Sequence, residues 1–259
     1  MTVHRRKFSL TPFLDPDHMQ SLYLLYLDRH HLGDELFLKS LAQHFSNAGP
    51  EAPPCVLVHG SGEKVERTLE AQGYFPERTD GVLDVETEDQ RRLVERAVRE
   101  VNQEIVAALT DEVVSTVGIQ GVDRGLFQGG GDAPLRAENV GWLSALLKQH
   151  VLPVVSALVE TPDADVREVG TEEALGALAE ALGDSFEPVA CVLTTADAAG
   201  LPDEGEGVRA EVDIGGLDEE PVPEPAAVRR LAAADVPVLI TNLQGLLRGA
   251  SPTGTRVRS

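Results

Sequence analysis

The run Val56-Leu57-Val58-His59-Gly60-Ser61-Gly62-Glu63 is a buried-strand pattern, then a small-residue turn, then a helix start. Glycines let an anion approach the backbone, and helix N-terminal amides supply donors and positive potential. His59, Gly60, Ser61 and Gly62 are therefore candidates for holding a phosphate or substrate anion. The same pattern also serves as a plain tight turn in any parallel α/β protein. It lacks the lysine of a phosphate-binding loop and the spacing of the dinucleotide fingerprint. A second run, Leu193-Thr194-Thr195-Ala196-Asp197-Ala198-Ala199-Gly200-Leu201, ends another apolar segment in hydroxyls, a carboxylate and a glycine. Asp197 is there either a nucleotide-site group or the cap of a turn. Glu172 opens an Ala- and Leu-rich helix, where an acid also complements the helix dipole. Gly129 to Gly131 read as a mobile lid, since no helix start follows them.

Elements that alternate along the chain must carry these residues. Strands are expected at 21–27, 55–59, 114–119, 151–158, 188–194 and 236–242. Helices are expected at 34–45, 63–72, 88–109, 139–149, 172–182 and 225–234. Thr87-Glu88-Asp89-Gln90 is a capping-box pattern, and Leu93, Ala97, Val101, Ile105 and Leu109 form one stripe behind it. Continuous apolar runs between amphipathic helices imply a three-layer α/β/α sandwich around an open, mainly parallel sheet of about eight strands. Residues 127–134 read as a hairpin or loop, and the alternation over 208–213 as an exposed hairpin strand. A lobe boundary is expected between Glu160 and Glu168, giving an N-terminal lobe 1–163 and a C-terminal lobe 164–259.

Composition narrows the function. Forty-three acidic against 22 basic residues give a formal charge of −21, which repels phosphate backbones and anionic lipid. Neither nucleic acid nor membrane is an expected partner. Only Lys7, Lys39, Lys64 and Lys148 are lysines, a pattern of salt-adapted surfaces as well as of ordinary acidic enzymes. No apolar run reaches the ~20 residues of a membrane span, and no signal peptide is read, so a cytoplasmic location is expected. Cys55 and Cys191 sit in apolar β-branched runs as buried strand residues, and no zinc spacing is present; no metal site of protein ligands is expected.

In this context the motifs resemble the amino-acid kinase family, and within it N-acetylglutamate kinase. Val58-His59-Gly60-Ser61-Gly62 resembles Val-His-Gly-Gly-Gly, and Val101-Asn102-Gln103-Glu104-Ile105-Val106 resembles Val-Asn-Lys-x-Ile/Leu-Val. Val117-Gly118-Ile119-Gln120-Gly121-Val122-Asp123, Leu152-Pro153-Val154-Val155-Ser156, the Thr194 run and the closing Gly254-Thr255-Arg256-Val257 follow in family order. The resemblance implies an acyl-amino acid on the N-terminal lobe and ATP with magnesium on the other. It implies γ-phosphoryl transfer to the side-chain carboxylate of N-acetyl-L-glutamate, a step of arginine biosynthesis. It also implies Thr194, Thr195, Asp197 and Gly200 at the nucleotide, and a homodimer joined through the N-terminal lobe.

The departures fall in the site. The family's Lys-x-Gly-Gly is replaced by Asp28-Arg29-His30-His31, leaving Arg29 as the cation that could stand in catalytically. The substrate arginine falls in Gly81-Val82-Leu83-Asp84-Val85, at Leu83 or Asp84. Asn-x-Asn-Ala-Asp becomes Glu168-Val169-Gly170-Thr171-Glu172, with Glu172 for the organising aspartate. The late lysine is missing from 219–231, where Arg229 and Arg230 are the nearest cations. The expectation is thus an acetylglutamate kinase-like protein with activity weakened or lost. The alternative is a non-catalytic protein on this fold that binds a small molecule or serves as a regulatory subunit, with no cofactor.

Overall fold

The computed structural model describes residues 19–49, 51–79, 81–130, 133–161, 165–203, 207–247 and 252–258. Parts of the expected lobe boundary (162–164), of the glycine lid (131 and 132), of the acidic segment (204–206) and of the closing motif (251), with the segment before Met19, lie outside them. The first half of the chain forms β1 (Ser21–Leu27), α1 (Arg29–Leu32), α2 (Glu35–Ser46), β2 (Cys55–His59) and α3 (Lys64–Ala71). A hairpin of β3 (Arg78–Thr79) and β4 (Val82–Leu83) precedes the long α4 (Glu88–Asp111) and β5 (Thr116–Gln120). A second hairpin, β6 (Phe127–Gly130) and β7 (Ala133–Ala137), leads to α5 (Gly141–Lys148) and β8 (Leu152–Ser156). A third, β9 (Leu158–Glu160) and β10 (Val166–Glu168), leads to α6 (Thr171–Leu182) and β11 (Glu187–Leu193). The chain closes with β12 (Glu211–Asp213), α7 (Pro225–Ala233), β13 (Val238–Thr241), α8 (Leu243–Leu246) and β14 (Thr255–Arg258).

Eight strands make one sheet in the order β12-β14-β13-β11-β1-β2-β8-β5. Every neighbouring pair is parallel except β13 with β14. Strand side chains alternate between faces, and both faces are covered. Leu22, Leu24 and Tyr26 pack with α5, α6 and α7 through Leu143, Leu175 and Val228. Tyr23, Leu25 and Leu27 pack on the other face with α2 and α4 through Leu41, Ile105 and Leu109. This is the expected three-layer α/β/α architecture.

Three details differ from the sequence reading. Residues 151–158 are not one strand: β8 stops at Ser156, and β9 leaves the sheet to pair with β10. The 208–213 segment is no exposed hairpin: β12 pairs in parallel with β14 at the sheet edge, its Val212 is buried, and Val208 bridges to Pro202 instead. In α4 the buried apolar set is Val94, Val98, Val101, Ile105 and Leu109. A strict four-residue step drifts around a helix of 3.6 residues per turn, so the stripe needs one three-residue step. That shift turns Val94 and Val98 onto Leu83 of the hairpin and onto Val65 and Leu69 of α3. The capping box at Thr87 and Gln90 is formed in full.

Candidate functional site

The carboxyl ends of β1, β2, β8, β11 and β13 lie on one edge of the sheet, where open parallel sheets hold ligands. Beyond β1, Asp28 caps α1: it accepts from the His31 amide at 2.9 Å, and its other oxygen lies 2.7 Å from the His31 ring. Arg29 is half exposed and lies between Glu224 at 3.3 Å and Glu66 at 3.9 Å. The hydroxyl of buried Tyr26 donates to the second oxygen of Glu224, and burial together with that carboxylate raises the Tyr26 pKa.

At the end of β2 the His59 ring is fully buried and meets Asn102 of α4. Burial pushes its pKa down to about 4, so the ring is neutral. Its Nδ1–H donates to the Gly60 carbonyl at 2.9 Å, and its Nε2 accepts from Asn102 at 3.0 Å. Asn102 also donates to the Val154 carbonyl at 2.9 Å, which ties α4, β8 and the turn together. The Ser61 amide points into the crevice and donates to Glu168 Oε1 at 2.6 Å. A Cβ on Gly60 would meet that same oxygen at 2.6 Å, so a larger residue there would push the Glu168 carboxylate aside. Gly62 has a φ of 65°, and its carbonyl accepts from Arg78 at 3.0 Å.

Glu168 and Glu172 form the floor and are 8% and 6% exposed. Burial pushes Glu168 up to about 7, against the opposing pull of Arg78 and the Ser61 amide. Glu172 is raised as well, by burial first, and its Oε1 accepts from Arg230 Nε at 2.6 Å. Arg78 pairs with Glu66 at 2.7 Å and also reaches Ser61 Oγ at 3.3 Å and Gly62. The remaining free space in the crevice is about 20 Å³.

Thus Arg29, Glu172, Gly60, Ser61 and Gly62 share one crevice, and the His59 ring braces it from behind. Thr194 and Asp197 line a separate hollow of about 240 Å³ with His31, His44 and Asn242. Thr194 Oγ donates to the Pro221 carbonyl at 2.8 Å, the Thr195 amide to the same oxygen at 3.0 Å, and Asn242 to the Asp197 carbonyl at 2.8 Å. Gly200 faces Val208 and Thr255 instead. Arg229 turns to Asp218 at 2.9 Å, away from the crevice. Sequence reading passed over Arg78, Glu66 and Glu224; the one available signal was an arginine in the acidic stretch 77–84.

The crevice in this form does not fit a triphosphate with magnesium. Its space is about that of one water, and the turn amide is taken by a carboxylate. Arg29, Arg78 and Arg230 each face a carboxylate of the chain. Among the described residues no three His, Cys, Asp or Glu stand together to hold a metal ion. No described helix is long and apolar enough to cross a membrane.

A model of the amino acid kinase family matches residues 28–185. An acetylglutamate kinase of Methanopyrus kandleri is 30% identical over 226 residues, covering 78% of this chain and 90% of that protein. One from Prochlorococcus marinus strain NATL2A is 33% identical over 138 residues, 49% of this chain and 45% of its own length. The chain therefore spans about half the length of that relative. Among solved structures, an N-acetylglutamate synthase from Neisseria gonorrhoeae, complexed with coenzyme A and N-acetyl-glutamate, superposes with a TM-score of 0.65 at 19% identity. That match covers 92% of this chain and 59% of the other. The smu.665 protein of Streptococcus mutans UA159 gives 0.62 at 17% identity, over 91% and 98% of the two chains. At such identities the structures show the fold alone.

Proposed function

The chain belongs to the amino-acid kinase family, and from that premise we propose that it is an acetylglutamate kinase-like protein whose ATP-dependent phosphorylation of the N-acetyl-L-glutamate side-chain carboxylate is weakened or lost. The carrying observation is the 2.6 Å hydrogen bond from the Ser61 amide to Glu168. A carboxylate of the chain itself sits on the donor that the family's turn would offer to an anion. Phosphoryl transfer relies on cations and amides aimed at the transferring oxygens. Here those groups face Glu66, Glu168, Glu172 and Glu224. Losing two such contacts lowers a rate by about 10⁴-fold, at roughly 1.4 kcal/mol per decade.

The closed crevice also supports a second reading, a non-catalytic member that binds a small molecule or serves as a regulatory subunit. In the first reading we assign the acyl-amino-acid side to residues 1–163 and the nucleotide side to 164–259; in both we assign homodimer contacts to residues 1–163 and the cytoplasm as the place of action. A hydroxamate assay with N-acetyl-L-glutamate and Mg-ATP, beside calorimetry of the same ligands, tests this. Turnover near roughly 10 s⁻¹, the order of an ordinary enzyme, would overturn it. Nucleotide binding without turnover favours the first reading, and no nucleotide binding the second.

A further inference from the structure

Two carboxylate oxygens at the floor of the crevice lack a donor. Oε2 of Glu168 and Oε2 of Glu172 are buried with no hydrogen-bond partner. Their Oε1 atoms are held at 2.6 Å by the Ser61 amide and by Arg230, which fixes each carboxylate in place. Both residues line the same crevice. With its ion-paired neighbours this cluster sets five carboxylates, Asp28, Glu66, Glu168, Glu172 and Glu224, against the guanidiniums of Arg29, Arg78 and Arg230 and the His31 ring beside Asp28. A buried acceptor left unmade is costly, and crowded negative charge adds to the cost.

We propose that the crevice is a seat for a primary ammonium group, so the small molecule held here carries an unacylated amine. The inference rests on the crevice being the ligand site, as in the reading above, and names what it takes. An ammonium brings three donors and one positive charge in a compact group. It suits a crevice this narrow, whose free space is about 20 Å³. A metal ion lacks its ligand cluster among the described residues. An N-acyl amide offers a single N–H and no charge. Glu168 also lines a neighbouring cavity of about 410 Å³ between β4, the start of α4 and β10. Gly81, next to β4, stands over Glu172 Oε2.

The test is calorimetry on the full chain without nucleotide. The probes are ethylammonium, L-glutamate, N-acetyl-L-glutamate and acetate. L-Glutamate and its acetylated twin differ only at the amine. The amine-bearing probes should bind, with N-acetyl-L-glutamate at least 10-fold weaker than L-glutamate. Glu168→Gln and Glu172→Gln keep the side-chain shape, and circular dichroism checks their folding. Each should weaken amine binding about 10-fold or more. The proposal is overturned if N-acetyl-L-glutamate binds as tightly as L-glutamate, if no amine binds, or if both variants bind amines like the parent. Brisk turnover of N-acetyl-L-glutamate in the hydroxamate assay overturns the earlier reading instead, so the two failures are distinct.

Discussion

The Ser61 amide and the Glu168 carboxylate, 107 positions apart in sequence, meet at 2.6 Å on the carboxyl edge of the sheet. Gly60 is what lets them meet, since a Cβ there would lie 2.6 Å from Glu168 Oε1 and 2.9 Å from Thr171 Oγ1. Gly60→Ala should cost about 1–3 kcal/mol, the range for overfilling a packed site. Adding Glu168→Ala should recover part of that loss, because the two changes share one clash. Urea midpoints of the two single variants and the double variant check it; strict additivity would refute the contact as the cause.

Glu168 and His59 make opposite contributions to stability against pH. Glu168 is raised from 4.5 to about 7, so the folded state holds its proton longer. Its contribution therefore falls as pH rises from 4.5 to about 7, by about 3 kcal/mol in all. His59 is lowered from 6.5 to about 4, so the unfolded state takes its proton first. Its contribution is present above pH 6.5 and is lost, by a similar ~3 kcal/mol, as pH falls to about 4. The two slopes nearly cancel in the parent. Relative to the parent, Glu168→Gln should gain stability as pH rises across this window, and His59→Gln should lose it. Denaturation at pH 4.5, 5.5 and 7 reads both, and parallel curves would contradict the assignment.

Two of the arginines around the crevice, Arg230 and Arg29, should differ in weight. Arg230 holds a carboxylate that is 5% exposed, whereas Arg29 is 45% exposed and lies 3.3 Å from its nearer partner. Removing one partner of a buried pair strands the other charge. With Arg230 itself one-third exposed, Arg230→Ala should cost about 2 kcal/mol, and Arg29→Ala less than about 1 kcal/mol. Equal costs by urea titration would show that Glu172 is not stranded.

Asn102 satisfies His59 Nε2 and the Val154 carbonyl at once. Asn102→Ala leaves both buried acceptors unmade and should cost about 2–4 kcal/mol. Hydrogen exchange at the Ser61 amide should rise with it, because His59 braces the Gly60 carbonyl. An unchanged exchange rate would place the turn's rigidity elsewhere.

The sheet was readable in the sequence because strands buried on both faces are continuous apolar runs bounded by amphipathic helices. Arg29, Glu172 and the Gly60–Gly62 turn converge because adjacent parallel strands end on one edge. The His59 ring was not readable in direction: all five residues of β2 are buried, so its pattern carries no sign of face. Arg78 escaped because a two-residue strand cannot show alternation. The Glu168 contact escaped because its partner is a backbone amide far along the chain. The 193–201 run looks like one cluster, yet the turn within it sends Gly200 toward β14 while Thr194 and Asp197 line another hollow.

The central strand β1 is flanked by β2 on one side and β11 on the other. As the nascent chain leaves the ribosome, β2 arrives soon after β1, whereas Glu187 follows Ser21 only after most of the chain. At roughly 5–20 residues per second, one edge of this buried strand stays unpaired for about ten seconds or longer. An open apolar edge is a template for pairing with other chains. Yield in a cell should therefore depend on how well chaperones shield the segment Leu22 to Leu27 during translation, and slower elongation through residues 60–190 should increase inclusion-body formation.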